Sequence, residues 1–295
     1  MASSEFYKLV DFITKNPPPP GVDHATARAG MEAAAARNAL PPSLRVETAK
    51  GAPVPAEWLI PEAAGENVVV YFHGGGFALG SIGSHRHVAA WLAESAGAKA
   101  IIFDYRLAPE YPFPAALDDC AALYRWLIEN WTSPSRIAFA GDSAGANLAI
   151  VTALELVADA RPAAIAALSP TVNLQSYFAT DAAANTDPSI DSGMIADTFR
   201  AYLGDTPALS PRVSPIFGAL EHLPPTLVQV AEREMFAPAA RRFVELALEA
   251  GTRVELDEWP EMLHAWHWFA PRLPEAREAL MRAGRFLSNS FQPAA

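Results

Sequence analysis

The run Phe139-Ala140-Gly141-Asp142-Ser143-Ala144-Gly145-Ala146-Asn147 holds the best candidate nucleophile of the chain. It reads Gly-x-Ser-x-Gly. An apolar, strand-like segment (136–140) precedes it, and an Ala- and Leu-rich segment with helical spacing (146–160) follows. A serine on a sharp turn from strand to helix is lifted above its sheet, and flanking glycines leave room for the tight backbone. The N–H groups of the helix start face any anion that develops there. Gly-x-Ser-x-Gly by itself also occurs by chance. Here it lies between the strand and the helix that its mechanics require, so Ser143 is read as a nucleophile.

A serine hydroxyl is a weak nucleophile and needs a base oriented by a third group. In the fold layout known to use such a turn, the partners follow in the chain order serine, acid, histidine. Of the seven histidines, His264 fits best. It lies in Trp259-Pro260-Glu261-Met262-Leu263-His264-Ala265-Trp266, a loop after the last expected strand, and loops at strand ends carry catalytic groups. His267 competes but is expected to open the next helical turn. His73, His85, His87 and His222 lie upstream of the required position or in other loops.

The acid should directly follow the strand at 226–231. Glu232 and Glu234 stand there with Arg233 between them; Asp257 and Glu258, in a later strand, are weaker candidates. Two positions apart, the glutamates point the same way in an extended segment but not in a turn. Spacing therefore leaves the choice open. A tetrahedral intermediate also needs hydrogen-bond donors for its oxyanion. His73-Gly74-Gly75-Gly76 can supply them, because glycines let the backbone approach a substrate closely. No Lys-Ser/Thr follows these glycines, so a phosphate cradle is not indicated. The N–H groups of Gly75, Gly76 and Ala144 are expected to form the hole.

These groups need a scaffold. Strands are expected at 44–48 and 54–60, as a hairpin around Lys50-Gly51, and at 67–73, 98–105, 136–140, 163–168, 226–231 and 254–258. Helices are expected at 84–96, 115–131, 146–160, 238–250 and 275–288. Strands alternating with helices indicate a parallel sheet covered on both faces. The rhythm fails twice. Residues 1–45 carry a short helix near 6–13, the prolines Pro17 to Pro20 and a second helix at 26–39. Residues 172–212 are polar, with Asp181, Asp187, Pro188 and Asp191, then a helix at 194–202. Long excursions between sheet strands are often lids or binding elements.

Composition narrows the class. Hydrophobic residues make up 51% of the 295 and charged residues 19%, enough for a sizeable core in one large α/β domain. A net charge of −11 with no Lys/Arg run argues against a nucleic-acid partner. Cys120 is the only cysteine, which excludes an intrachain disulfide and Cys-based metal clusters and fits a reducing, cytoplasmic setting. Glu5, Lys8, Asp11 and Lys15 interrupt the first 17 residues, so no signal-peptide core is expected there. No apolar run approaches the ~20 residues of a membrane span.

Four blocks carry a family resemblance. They are His73-Gly74-Gly75-Gly76-Phe77, Asp104-Tyr105-Arg106-Leu107-Ala108-Pro109-Glu110, Gly141-Asp142-Ser143-Ala144-Gly145-Ala146-Asn147 and the segment around His264. From about residue 45 to 287 the chain resembles the hormone-sensitive-lipase-like esterases, bacterial esterase family IV. The resemblance implies an α/β-hydrolase fold, with an eight-stranded, mostly parallel sheet flanked by helices. It also implies one domain over 1–295, with a helical cap made from about 1–45 and 172–212. It favours Glu234 as the acid, since the family's acid stands three positions after a small residue that ends the strand, here Ala231. The family's usual Asp a few residues later is missing; Pro238 and Ala239 occupy that region. In this reading Asp104-Tyr105-Arg106 is structural, and Glu110 fixes loops near the site.

The implied activity is hydrolysis of short-chain carboxylic esters through an acyl-enzyme, with Ser143, His264 and Glu234 as the triad and no metal or organic cofactor. The same triad also serves lactones and amides, including deacetylation. A ligand receptor on the same fold is a further alternative; the plant gibberellin receptors resemble this family but lack the catalytic histidine, which is present here as His264. The expected partner is a small-molecule ester, with neither nucleic acid nor a membrane span. A homodimer is left open.

Overall fold

A computed structural model describes residues 1–17, 21–179 and 187–291; Pro18 to Pro20 and Asp181 lie outside the described residues. Eight strands form one sheet: β1 (Arg45–Thr48), β2 (Ala56–Ile60), β3 (Val68–Phe72), β4 (Lys99–Phe103), β5 (Ile137–Asp142), β6 (Ile165–Leu168), β7 (Thr226–Ala231) and β8 (Val254–Trp259). Their spatial order is β1-β2-β4-β3-β5-β6-β7-β8. β1 and β2 are the expected hairpin, β2 pairs antiparallel with β4, and every later pairing is parallel.

The helices are α1 (Ser4–Lys15), α2 (His24–Ala35), α3 (Ile82–Ala96), α4 (Ala115–Asn130), α5 (Ala144–Leu154), α6 (Leu174–Ala179), α7 (Ser192–Leu203), α8 (Ala237–Glu249) and α9 (Pro274–Ser290). α5 ends six residues earlier than its composition predicts. Leu156 and Val157 leave the helix, and a single 3-10 turn follows at Ala158–Ala160. α6 was not expected from the sequence.

Strand alternation builds two cores. Val68, Val70 and Phe72 of β3 face one side with Phe139, Ile165 and Val228, against α4, α5 and α8. Val69 and Tyr71 face the other with Ala138, Ala166 and Leu227, against α3 and α9. Successive side chains of a strand point to opposite faces, so a strand covered on both faces reads as one continuous apolar run. β3 is buried at all five positions for that reason.

The parallel register decides where chemistry can occur. Phe72 of β3 pairs with Gly141 of β5, Asp142 with Leu168 of β6, and Ala231 of β7 with Trp259 of β8. The loops that leave these strands therefore emerge along one edge of the sheet. They carry the three glycines, Ser143, the two glutamates and His264.

Both irregular stretches pack on this framework. Ser3 caps α1 and donates from its N–H and Oγ to Glu275 on α9 at 2.5 and 2.9 Å. Arg28 of α2 donates to the Ala78 and Ala108 carbonyls and, from both terminal nitrogens, to Glu110, each at 2.8 Å. Arg28 is also the main reason that the Glu110 carboxyl sits low, at about 2. From the second stretch, Tyr202 of α7 stacks on Phe77 with ring centroids 3.8 Å apart.

Candidate active site

Ser143 is the turn between β5 and α5. Its backbone is left-handed, with φ 53° and ψ −117°, a geometry that costs a non-glycine residue about 1–3 kcal/mol. Close packing holds it there. A Cβ on Gly145 would stand 2.0 Å from the Phe72 carbonyl oxygen and 2.5 Å from that of His73, so the helix start is pressed against the end of β3. Asn147, fully buried one turn into α5, donates to the carbonyls of Thr171 and Val213 at 2.6 and 2.8 Å. Those bonds tie both ends of the 172–212 excursion to the helix behind the serine.

The structure brings Ser143, His264 and Glu234 together. His264 Nε2 lies 2.9 Å from Ser143 Oγ, and His264 Nδ1 lies 2.8 Å from Glu234 Oε2. With the proton on Nδ1 donated to the carboxylate, Nε2 accepts from the hydroxyl; this tautomer is assigned from the network. Such an arrangement can take the serine proton and stabilise the resulting imidazolium. Burial raises the Glu234 carboxyl above its usual range, with His264 pulling the other way. Burial works against a charged His264, but the charge and hydrogen bond of Glu234 outweigh it, aided by Asp187 and Asp142, and the net shift is upward.

The competing residues stand elsewhere. Glu232 is exposed, whereas Glu234 is buried. The turn after β7 separates them: Glu232 N–H still pairs with the Trp259 carbonyl, and Glu234 N–H turns back to Ala231. His267 is fully buried, with Nε2 3.0 Å from Gln229 Oε1, and burial pushes it down to about 3. Asp257 accepts from Gln229 Nε2 and Trp259 Nε1. Asp104 accepts from the Ile82 N–H at 2.6 Å, starting α3.

The glycine loop after β3 is shaped from below by Asp142. Its Oδ1 accepts from the Gly74 N–H at 3.1 Å and from Tyr71 Oη at 2.8 Å, and its Oδ2 lies 3.4 Å from His85 Nε2. Burial alone would raise this carboxyl; His85, Tyr71 and His73 bring it to about 2. Gly75 and Gly76 follow with φ of 117° and 62°. A Cβ on Gly76 would stand 2.5 Å from Thr198 Oγ1 of α7, so the excursion lies directly on this loop. Next to His264, Phe236 sits with its ring 4.9 Å away and belongs to an aromatic group with Tyr177 and Phe199.

Sequence reasoning singled out neither Asp142 nor Asp187 for a role here. Asp187 accepts from the main-chain N–H of His264 at 2.5 Å. The position directly before the serine in Gly-x-Ser-x-Gly was a usable signal for Asp142. For Asp187 there was none, because 77 residues of chain separate it from its partner.

The sequence signature of the alpha/beta hydrolase fold matches residues 69–268. An acetyl-hydrolase of Streptomyces hygroscopicus is 43% identical over 240 residues, 79% of this chain and 79% of that protein. A carboxylesterase of Mycobacterium tuberculosis is 36% identical over 287 residues, 87% of this chain and 88% of the relative. A crystal structure of an esterase from the bacterial hormone-sensitive lipase family superposes with a TM-score of 0.90 at 35% identity, covering 99% of this chain and all of the other. With sequence signature, relatives and architecture in agreement, the chain belongs to the alpha/beta hydrolase fold family, among its hormone-sensitive-lipase-like esterases.

Proposed function

We propose that this enzyme hydrolyses short-chain carboxylic esters through an acyl-serine. The observation that carries the reading is the continuous hydrogen-bonded path from Ser143 Oγ through the His264 ring to Glu234. Ser143 attacks the ester carbonyl while His264 Nε2 takes its proton. The tetrahedral oxyanion is held by the N–H groups of Gly75, Gly76 and Ala144. His264 then protonates the departing alkoxide, and the alcohol leaves. Water enters, gives its proton to His264 and attacks the acyl carbon; the serine oxygen leaves and takes the proton back. Glu234 stabilises the imidazolium in both halves. Ala144 opens an 11-residue helix, so the positive end of that helix adds to the oxyanion field.

Short acyl chains fit the surroundings. Ser143 is only 7% exposed, α7 presses on the glycine loop, and Phe236, Tyr177 and Phe199 crowd the side next to His264. We read the N-terminal arm and the 172–212 excursion as the cap that bounds the pocket. One relative is named an acetyl-hydrolase, and the crystal of a 33%-identical neighbour, EstE5, was soaked with p-nitrophenyl butyrate. Among the described residues no helix is long and apolar enough to cross a membrane.

The test is a panel of p-nitrophenyl esters of rising chain length, followed by lactones and amides, alongside labelling with a fluorophosphonate. The expected outcome is kcat/KM highest on the acetyl to butyryl esters, with one label per chain that Ser143→Ala abolishes. The serine, base and acid of a hydrolase together are worth about 10⁶-fold in rate. A Ser143→Ala enzyme that kept a tenth of the activity would sink the reading. A preference for emulsified long-chain triglyceride would refute the chain-length part alone.

A further inference from the structure

The proposed triad explains the two ring nitrogens of His264 but not its main-chain N–H. That N–H donates to Oδ2 of Asp187 at 2.5 Å. Asp187 is 7% exposed and lies on the excursion between β6 and β7. Its other oxygen, Oδ1, accepts from Ser189 N–H at 2.8 Å and from Ser189 Oγ at 2.5 Å. The carboxylate is thus clamped on one side by its own turn and on the other by the histidine.

The loop that carries His264 needs an outside anchor. It leaves the β8 ladder at Trp259, and both Glu261 and Ala265 adopt left-handed backbone with φ of 67° and 50°. Two such bends in non-glycine residues are not held by local preference. The loop is anchored on either side of the Cα of His264: the residue's own N–H bonds to Asp187, and the N–H of Ala265 donates to Ser169 Oγ at 3.1 Å.

Resting on the triad reading, we infer that Asp187 is a positioning residue for the base: by holding the His264 N–H it fixes where the imidazole stands between Glu234 and Ser143. Asp187 is not a second triad acid, since its bond is to the main chain and Glu234 already occupies Nδ1. The consequence for specificity is direct. The same excursion presses α7 on the glycine loop and places Tyr177 and Phe199 next to Phe236, so the segment that shapes the pocket also sets the base.

The experiment compares Asp187→Ala, Asp187→Asn and His264→Ala with wild type on p-nitrophenyl acetate, with kcat and KM separated and thermal melts recorded. A misplacement of about 1 Å in a catalytic group costs about 10²-fold. Asp187→Ala is therefore expected to lose about 10- to 100-fold in kcat, with KM within about twofold. Asp187→Asn keeps a carbonyl that can accept the N–H and should recover kcat to within about fivefold of wild type. Asp187→Ser, whose hydroxyl is too short to reach the N–H, makes the same comparison if the alanine variant does not fold.

Wild-type kcat in both short variants, a loss confined to KM, or an asparagine variant as impaired as alanine would each overturn the assignment. If His264→Ala itself stays active, the triad reading falls and this inference with it. If His264→Ala is dead while Asp187→Ala is unimpaired, only the inference falls.

Discussion

Removing the charge of Glu234 while keeping its shape isolates what the acid contributes. Glu234 is 2% exposed, and its Oε2 stands 2.8 Å from His264 Nδ1. A Gln fills the same space and can still accept from Nδ1 through its carbonyl oxygen. What disappears is the negative charge beside the imidazole that, in the proposed mechanism, becomes positive as Ser143 attacks. Two unit charges about 4 Å apart at an effective dielectric near 20 attract by about 4 kcal/mol. Each ~1.4 kcal/mol on a barrier is a factor of ten, which puts the loss near 10³-fold in kcat. The comparable change in a serine protease costs about 10⁴, so we expect between about 10² and 10⁴ for Glu234→Gln. Glu232→Gln serves as the control, because Glu232 is exposed and its main chain still follows the β8 ladder; its kcat should stay within about twofold, as for a surface residue. The assay is kcat on p-nitrophenyl acetate for both variants, with thermal melts to show that both are folded. A dead Glu232→Gln beside an active Glu234→Gln would refute the assignment. Two active variants would place the acid elsewhere, with Asp257 the next residue to test.

The two candidate bases separate by the same logic: His264→Ala should approach the loss of Ser143→Ala, while His267→Ala, which removes a buried hydrogen bond to Gln229 and ring packing on Trp266, should lower Tm more than kcat; equal losses in kcat would mean the wrong base was chosen. The pH profile follows from the sign of the His264 shift. In the proposed mechanism His264 works neutral, and its pKa is raised from the ordinary 6.5, so kcat/KM should fall as pH drops through a midpoint above 6.5. Glu234→Gln removes the main upward cause and leaves burial, which acts downward, so any residual activity should show its acid limb at lower pH; a limb that does not move would contradict the pairing. Gly145→Ala should destabilise the fold, since its Cβ would meet two main-chain oxygens at 2.0 and 2.5 Å. Overpacking of this kind costs about 1–3 kcal/mol, or about 2–5 °C in Tm for a chain of this size. An unchanged melt would mean that the elbow is not pressed on β3.

Much of this protein is legible in local sequence. Apolar runs and 3.6-residue spacing mark the eight strands and five sheet-flanking helices, because each element must bury a face of its own. The order serine, acid, histidine of the α/β-hydrolase layout points to Ser143 and His264, and parallel strands bring the loops that carry them to one edge. Local sequence misjudges α5: Leu156 and Val157 would suit a helix but leave it after Leu154. It is also blind to contacts made across the fold. Glu232 and Glu234 are equivalent by spacing, and residues alone left them so; the family pattern favoured Glu234. The turn after β7 buries one and exposes the other, and that turn is defined by pairing with Trp259 of β8. Asp187 with the His264 N–H and Arg28 with Glu110 are likewise pairs separated by 77 and 82 residues. Nothing in a hydrophobic period encodes such a pair. It exists only once the sheet has set the loops side by side and burial has made an unpartnered charge or N–H costly.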